Sequence, residues 1–278
     1  MKEKMTQKWA LILGASSGFG GASAVELAKN GHHILGIHLD RQSTMHKVTA
    51  IIKKIEKTGH KAVFFNMNAA DPLKRNDTLD EIKERFATKE HPHINVLIHS
   101  LAFGTLKPFI TKSPNDCITK SQMEMTLDVM AHSLVYWTQG LVQRDLLAEG
   151  ARIFALTSAG SQQVIPTYGA VSAAKASVEA HIRQLSVELG PMGVTANAIM
   201  AGVTDTPALR KIPGNENMIK AAKSKNPMGK LTTPEEVAKS IVLLCQPGAD
   251  WLTGNVIGVD GGEYNVSYTG DIICKPIK

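Results

Sequence analysis

Short apolar runs alternate with amphipathic stretches along almost the whole chain. Residues 9–14, Trp-Ala-Leu-Ile-Leu-Gly, form an apolar run cut off by a glycine-rich turn, as expected of a strand buried on both faces of a parallel sheet. A helix-compatible stretch then reaches Asn30 and stops at Gly31, and a second strand over about 33–39 completes one β-α-β unit. The pattern continues with a helix over 43–58, a strand at 61–66, a helix at 72–87 and the strand Ile94-Asn95-Val96-Leu97-Ile98-His99. A long helix near 121–148, a strand at 151–157, a helix near 167–189 ended by Gly190-Pro191, and a strand at 193–199 follow. A helix near 234–246 and the strand Val256-Ile257-Gly258-Val259 close the series. Strands alternating with helices in this way predict an α/β fold: a single Rossmann-like doubly wound domain over 1–278, its seven-stranded parallel sheet flanked by helices. Residues 203–230, with Pro207, Pro213, Gly214, Pro227 and Gly229, have no strand character and read as a substrate-binding loop or lid.

Composition narrows the class. The 278 residues suffice for one sizeable core, and Cys117, Cys245 and Cys274 are odd in number, widely spaced and without a CxxC pair, so they read as reduced thiols and no metal site is expected. The first apolar run is too short for a signal segment or a membrane span, which points to a cytoplasmic protein without a membrane partner. A net charge of +6 with few aromatic residues gives no clustered basic, stacking face, and no nucleic-acid partner is expected.

Candidate chemistry begins at Gly14-Ala15-Ser16-Ser17-Gly18-Phe19-Gly20. Glycines between a strand and a helix let the backbone turn tightly and approach a pyrophosphate, which the helix N-terminus favours; the spacing is GxxxGxG. A carboxylate at the end of the second strand would suit the ribose hydroxyl of NAD, a cation the 2′-phosphate of NADP. That position is His38, with Asp40 and Arg41 after it, and the pattern favours NADPH while leaving NADH open through Asp40. Asn68 is placed either to read an adenine edge or to form a turn.

Further along, Tyr168 precedes Lys175 by seven residues, a spacing that on one helix puts both side chains on one face about 10 Å apart. Together with the glycine turn, Asn68, His99-Ser100-Leu101-Ala102-Phe103-Gly104, Ser158, Asn197-Ala198-Ile199-Met200-Ala201-Gly202-Val203-Thr204-Asp205-Thr206 and Val259-Asp260-Gly261-Gly262, this resembles the short-chain dehydrogenase/reductase family from residue 9 to about 265. Val171 stands where the usual YxxxK tyrosine would be, Met130 where an active-site asparagine is usual, His99-Ser100-Leu101-Ala102 in place of NNAG, and Ala201-Gly202 in place of Pro-Gly. These departures resemble the divergent enoyl-acyl-carrier-protein reductase branch, with its Y-x6-K motif. That branch often has another tyrosine ten residues before the catalytic one, where this chain has Ser158.

The resemblance implies an oxidoreductase that delivers hydride to C3 of a trans-2-enoyl thioester in fatty-acid synthesis, on a carrier-protein or CoA substrate, and a homotetramer packed through helices 121–148 and 167–189. Negative charge would appear on the thioester oxygen, two carbon-carbon bonds of about 1.5 Å away, so an acid moved from position 171 to 168 suits it. Tyr168 would hydrogen-bond the developing enolate and Lys175 the nicotinamide ribose, its charge favouring phenolate character; Ser158 would donate a further bond or only shape the pocket. Cofactor contacts are implied for Gly14, Ser16, Ser17, Gly18, Phe19, Gly20, His38, Arg41, Asn68, Ser100, Lys175, Gly202, Thr204 and Thr206. Phe103 and Phe109 line the acyl pocket or join the core. Arg210, Lys211, Lys220, Lys223, Lys225 and Lys230, against Glu216 alone, form either a solvated face or a docking surface for an acidic carrier protein. Two rival readings share the motifs: a carbonyl, 3-oxoacyl or hydroxysteroid oxidoreductase, and a catalytically silent nucleotide-binding member.

Overall fold

The computed structural model describes residues 7–86 and 94–267; Tyr268 and Cys274 of the tail lie outside the described residues. The elements are β1 (Lys8–Leu13), α1 (Gly18–Lys29), β2 (His32–His38), α2 (Met45–Glu56), β3 (Ala62–Asn66), α3 (Pro72–Phe86), β4 (Ile94–His99), α4 (Lys120–Leu127), α5 (Ser133–Gln143), β5 (Leu147–Thr157), α6 (Gly169–Glu188), β6 (Thr195–Ala201), α7 (Asn215–Lys225), α8 (Pro234–Leu244) and β7 (Val256–Val259). The strands form one seven-stranded sheet in the order β3-β2-β1-β4-β5-β6-β7, and every neighbouring pair is parallel.

Alternate residues of each central strand feed two cores. Trp9, Leu11 and Leu13 of β1 pack on the side of α3, α5 and α6, whereas Ala10 and Ile12 pack on the side of α1, α2 and α8. Burial on both faces explains why β1 reads as a continuous apolar run. Each fully buried Leu or Ile in these layers contributes roughly 1.5–3 kcal/mol. Helix α1 turns Gly20, Gly21, Ser23, Ala24, Leu27 and Ala28 inward, and such small residues let it lie close to the sheet and to α8. Helix α8 starts at Pro234 behind a capping box in which Thr233 and Glu236 satisfy each other's backbone N–H groups. Among the described residues no helix is long and apolar enough to cross a membrane.

Two expectations need correction. The long helix near 121–148 is α4 and α5 joined by a π-turn at Asp128–His132, and it ends at Gln143. Asp145 takes a left-handed φ of 57°, and Leu147 already belongs to β5, paired with Ile94. Leu146-Leu147-Ala148 is apolar enough for either structure, and its burial against β4 decides for the strand. The segment 203–230 is not all loop, since it carries α7 and a short turn at Leu209–Lys211.

Candidate active site

The order of β1 between β2 and β4 creates a topological switch point, where the chain leaves β1 for one face of the sheet and β4 for the other. In such sheets the crevice beyond the carboxyl ends of the strands is the natural binding site. Here it is built by contact. Ser100 N–H donates to Leu13 O at 2.8 Å, and Gly14 N–H donates to Ile37 O at 2.8 Å, so the ends of β1, β2 and β4 are tied together. Gly14 has φ +92°, and a Cβ on it would stand 2.6 Å from Ser100 O. A Cβ on Gly20 would collide with the Gly14 carbonyl, and one on Gly18, at φ +53°, would approach Thr206 Cγ2 to 3.7 Å. The first turn of α1 follows directly, and its N-cap Ser17 makes no side-chain cap.

The structure thus brings Gly14, Gly18, Gly20, Ser100 and Thr206 to one cradle. The other candidates separate. Phe19 is partly buried and packs against the core on the side of α1, α2 and α8. His38 is buried, with Nδ1 3.0 Å from Asp40 Oδ2, and Thr44 Oγ1 donates to Asp40 Oδ1 at 2.8 Å. Burial opposes ionisation of Asp40, but hydrogen bonds from Ser16, Thr44 and His38 outweigh it and hold the carboxyl below its ordinary range. Ser16 therefore links the glycine turn to Asp40, while Arg41 is exposed. Asn68 Oδ1 accepts the N–H of Ala70 at 3.1 Å, so this exposed residue closes its own turn. Thr204 donates to Gly202 O, and Thr206 Oγ1 accepts from Leu209 N–H, which places both as braces of the segment after β6.

The second half of the site lies where β5 meets α6. Tyr168 is the N-cap residue of α6, and Thr167 before it has φ +64°, an uncommon conformation for a β-branched residue. Tyr168 O accepts the Ser172 N–H at 2.8 Å, so Tyr168 opens the helix in which Lys175 follows. Lys175 is buried and its Nζ donates to Leu156 O at 2.6 Å. Burial pulls its pKa down from 10.5 to about 8, against an opposing pull from Glu179. Burial pushes the Tyr168 phenol above its ordinary value, and the adjacent Ser158 hydroxyl draws it partly back. Ser158 Oγ is buried and stops short of a well-formed hydrogen bond to any described residue. Gly160 is the floor beneath both: a Cβ there would stand 2.7 Å from Tyr168 Cε1 and 3.2 Å from Ser158 Oγ.

Around this pair, Val171 and Met130 are core residues, 5% and 3% exposed. Phe109 lays its ring on Gly169, next to Tyr168, and both Phe109 and Phe103 are largely exposed, so neither joins the core. Several neighbours received no role from the sequence. His99 is fully buried at the end of β4, Nε2 lies 2.9 Å from Ser133 Oγ, and burial and then the charge of Lys175 lower its pKa to about 3, which keeps it neutral. Glu179 accepts from Thr157 Oγ1 at 2.6 Å. Glu263 accepts from Val203 N–H at 3.2 Å. Of these, His99 was visible as the first residue of the strand-end motif, and Glu179 by falling four residues after Lys175 on the same buried stripe of α6.

Comparison with known proteins places this geometry. A family model described as enoyl-(acyl carrier protein) reductase matches residues 14–263. The 1-cyclohexenylcarbonyl-CoA reductase of Streptomyces collinus is 26% identical over 255 residues, 91% of this chain and 85% of that protein. The enoyl-acyl-carrier-protein reductase (NADH) FabI of Aquifex aeolicus is 30% identical over 203 residues, 71% of this chain and 73% of that protein. The solved structure of FabI from Candidatus Liberibacter asiaticus matches with a TM-score of 0.83 at 22% identity, covering 97% of this chain and 100% of that one, a likeness of fold. The chain belongs to the short-chain dehydrogenase/reductase family of oxidoreductases, in its enoyl-acyl-carrier-protein reductase branch.

Proposed function

We propose that this protein is an NADPH-dependent enoyl-acyl-carrier-protein reductase that transfers hydride to C3 of a trans-2-enoyl thioester in fatty-acid synthesis. One observation carries the reading: Tyr168 caps α6 at the β5–α6 junction, ahead of the buried Lys175, while the usual tyrosine position holds the core residue Val171. A bound dinucleotide fits the residues present, because Gly14 and Gly20 let the turn close tightly where no Cβ has room and the first turn of α1 has no side-chain cap. The nicotinamide, when bound, supplies the hydride. Lys175, cationic below about pH 8, is positioned by Leu156 O and is read as the donor to the nicotinamide ribose. Tyr168, its pKa raised by burial, stays protonated at neutral pH and is therefore a hydrogen-bond donor for the enolate oxygen. Phe109, beside Tyr168, and the exposed Phe103, Ile110 and Val164 suit an acyl chain.

NADPH is favoured by the exposed Arg41 beside the end of β2. A second reading, NADH, has its own observation: Asp40 is held ionised and hydrogen-bonded to Ser16 of the glycine turn, where it suits a ribose hydroxyl better than a phosphate. The segment 203–230 is read as the lid of the site. On it Arg210 pairs with Asp205, Lys230 pairs with Glu236 and Lys225 acts on Glu263, which leaves Lys211, Lys220 and Lys223 for an acidic carrier protein. A cytoplasmic homotetramer packed through α4, α5 and α6 completes the proposal, and exposed Tyr136, Val142 and Val187 on α5 and α6 support that packing.

Incubation of the purified protein with NADPH or NADH and crotonyl thioester, then acetoacetyl thioester, tests the reading. Coenzyme oxidation with the crotonyl substrate is expected. Oxidation with acetoacetyl thioester alone would assign a carbonyl reductase, and nucleotide binding without turnover of either would assign a silent member.

A further inference from the structure

The buried stripe of α6 is interrupted by two charged residues four positions apart, Lys175 and Glu179, both 6% exposed. Each is tied to the end of β5 by its own bond. Lys175 Nζ donates to Leu156 O at 2.6 Å, and Thr157 Oγ1 donates to Glu179 Oε1 at 2.6 Å. Two consecutive strand residues thus receive one turn of helix, directly before Ser158. A buried carboxylate with a single hydroxyl partner is costly unless a cation lies nearby, and a buried ammonium has the same need.

We propose that Glu179 is a positioning residue for the reductase site: anchored by Thr157, it supplies the countercharge that keeps Lys175 protonated and seated on Leu156 O. This rests on the proposed role of Lys175 at the coenzyme. The ionisable groups on neighbouring elements do not take that part. His99, on β4, is neutral. On the π-turn, His132 is bonded to His181, and Asp128 acts on Arg75. On α4, Lys120 pairs with Glu124; on α5, Arg144 pairs with Asp80 and Tyr136 lies under Arg75. Glu149 stands near the start of β5 and Arg152 at its middle, both before its Leu156 end. Among the described residues, Glu179 is the opposite charge that acts on Lys175.

The test is the pH dependence of two quantities in the full-length protein, dinucleotide dissociation constant and crotonyl-thioester turnover, for wild type, E179Q and T157V. Glutamine keeps an acceptor for Thr157 but removes the charge. With E179Q the alkaline loss of dinucleotide affinity is expected to begin roughly one pH unit or more lower than in wild type, because an adjacent opposite charge is worth about that much. T157V, which keeps the charge but frees it, is expected to give a smaller shift in the same direction, and T157S to restore the wild-type profile. Equal profiles in wild type and E179Q, with both folded by thermal melt, would overturn the proposal. Should E179Q fail to fold, T157V against T157S decides the same question, and identical profiles there overturn it. Absence of crotonyl turnover with a shifted binding profile would sink the enoyl reductase reading and leave the role of Glu179 standing.

Discussion

Val171 Cγ2 packs against Gly104 so closely that a Cβ on Gly104 would stand 2.9 Å from it, with Thr126 Cγ2 at 2.7 Å and Met130 Sδ at 3.0 Å on the other sides. The position that carries the usual family tyrosine is therefore filled, with no room for a phenol. We predict that V171Y destabilises the protein by about 1–3 kcal/mol in urea denaturation, as overpacking does. Y168F is expected to lower kcat by about 10²–10³-fold through loss of an oxyanion donor. The double variant Y168F/V171Y should recover none of that activity; recovery would show that the site accepts an acid at either place.

Lys175 gives a pH signature with opposite signs for activity and stability. Its folded pKa of about 8 lies below the unfolded value of 10.5, so between those values the unfolded chain binds more protons and stability rises with pH. The burial penalty is full below pH 8 and is gone above 10.5. At about 1.36 kcal/mol per pKa unit, the stability of wild type relative to K175M is expected to improve by about 3 kcal/mol from pH 7 to pH 10.5. Turnover should instead fall as pH rises through about 8, where the ammonium is lost. Urea melts and initial rates across that range check both, and a flat stability difference would contradict the burial of a charged Lys175.

How much of this was legible beforehand follows from which signals are local. β1 could be read because both of its faces are buried, and the glycine turn because Gly14 and Gly20 each answer to a close backbone contact. The break between α4 and α5 could not be read: Asp128–His132 has helix-forming composition, and only packing shows the π-turn. Helix α7 was hidden by Pro213-Gly214 and by the polar Asn215 and Asn217, which read as loop. Tyr168 and Lys175 were visible as a spacing, but the N-cap placement of Tyr168 depends on the left-handed Thr167, which no propensity suggests. Glu179 shows its spacing from Lys175 in the sequence, but its anchor is visible only once Thr157 is seen to hold it.

The cradle makes a prediction with an internal control. Gly14 and Gly31 have nearly the same φ, +92° and +90°, but a Cβ on Gly31 would meet nothing within 4 Å. G14A and G31A should both lose about 1 kcal/mol or more of stability from the strained backbone. G14A alone, pressed against Ser100 O, should also lose dinucleotide affinity, by about tenfold or more, which corresponds to about 1.4 kcal/mol. Equal dinucleotide affinities in the two variants, measured by fluorescence titration, would remove Gly14 from the binding site.

Asp40 and Arg41 separate the two coenzymes. If Arg41 receives a 2′-phosphate, R41A should raise KM for NADPH about tenfold and leave KM for NADH nearly unchanged, since a hydrogen bond to a charged group is worth about 1.5–3 kcal/mol. If Asp40 receives a ribose hydroxyl through its place on Ser16, D40N should raise KM for NADH and lower it for NADPH. Steady-state kinetics with both coenzymes decide between the NADPH and NADH readings.

The basic segment makes the last prediction, and the structure sharpens which residues carry it. Arg210 and Lys230 are engaged with Asp205 and Glu236, and Lys225 acts on Glu263, so the charge left to meet a partner lies on α7 and its approach: Lys220 and Lys223, with Lys211 before them. Rim charges of this kind act mainly on the rate of encounter and lose force with salt. K220E/K223E is therefore expected to raise KM for a carrier-protein-bound enoyl substrate several-fold at low ionic strength, with kcat nearly unchanged. A CoA thioester, which carries its own phosphates but no acidic protein surface, should show a smaller change, and the difference should shrink as salt is raised. Equal changes for both substrates, or changes insensitive to salt, would return these lysines to an ordinary solvated helix face.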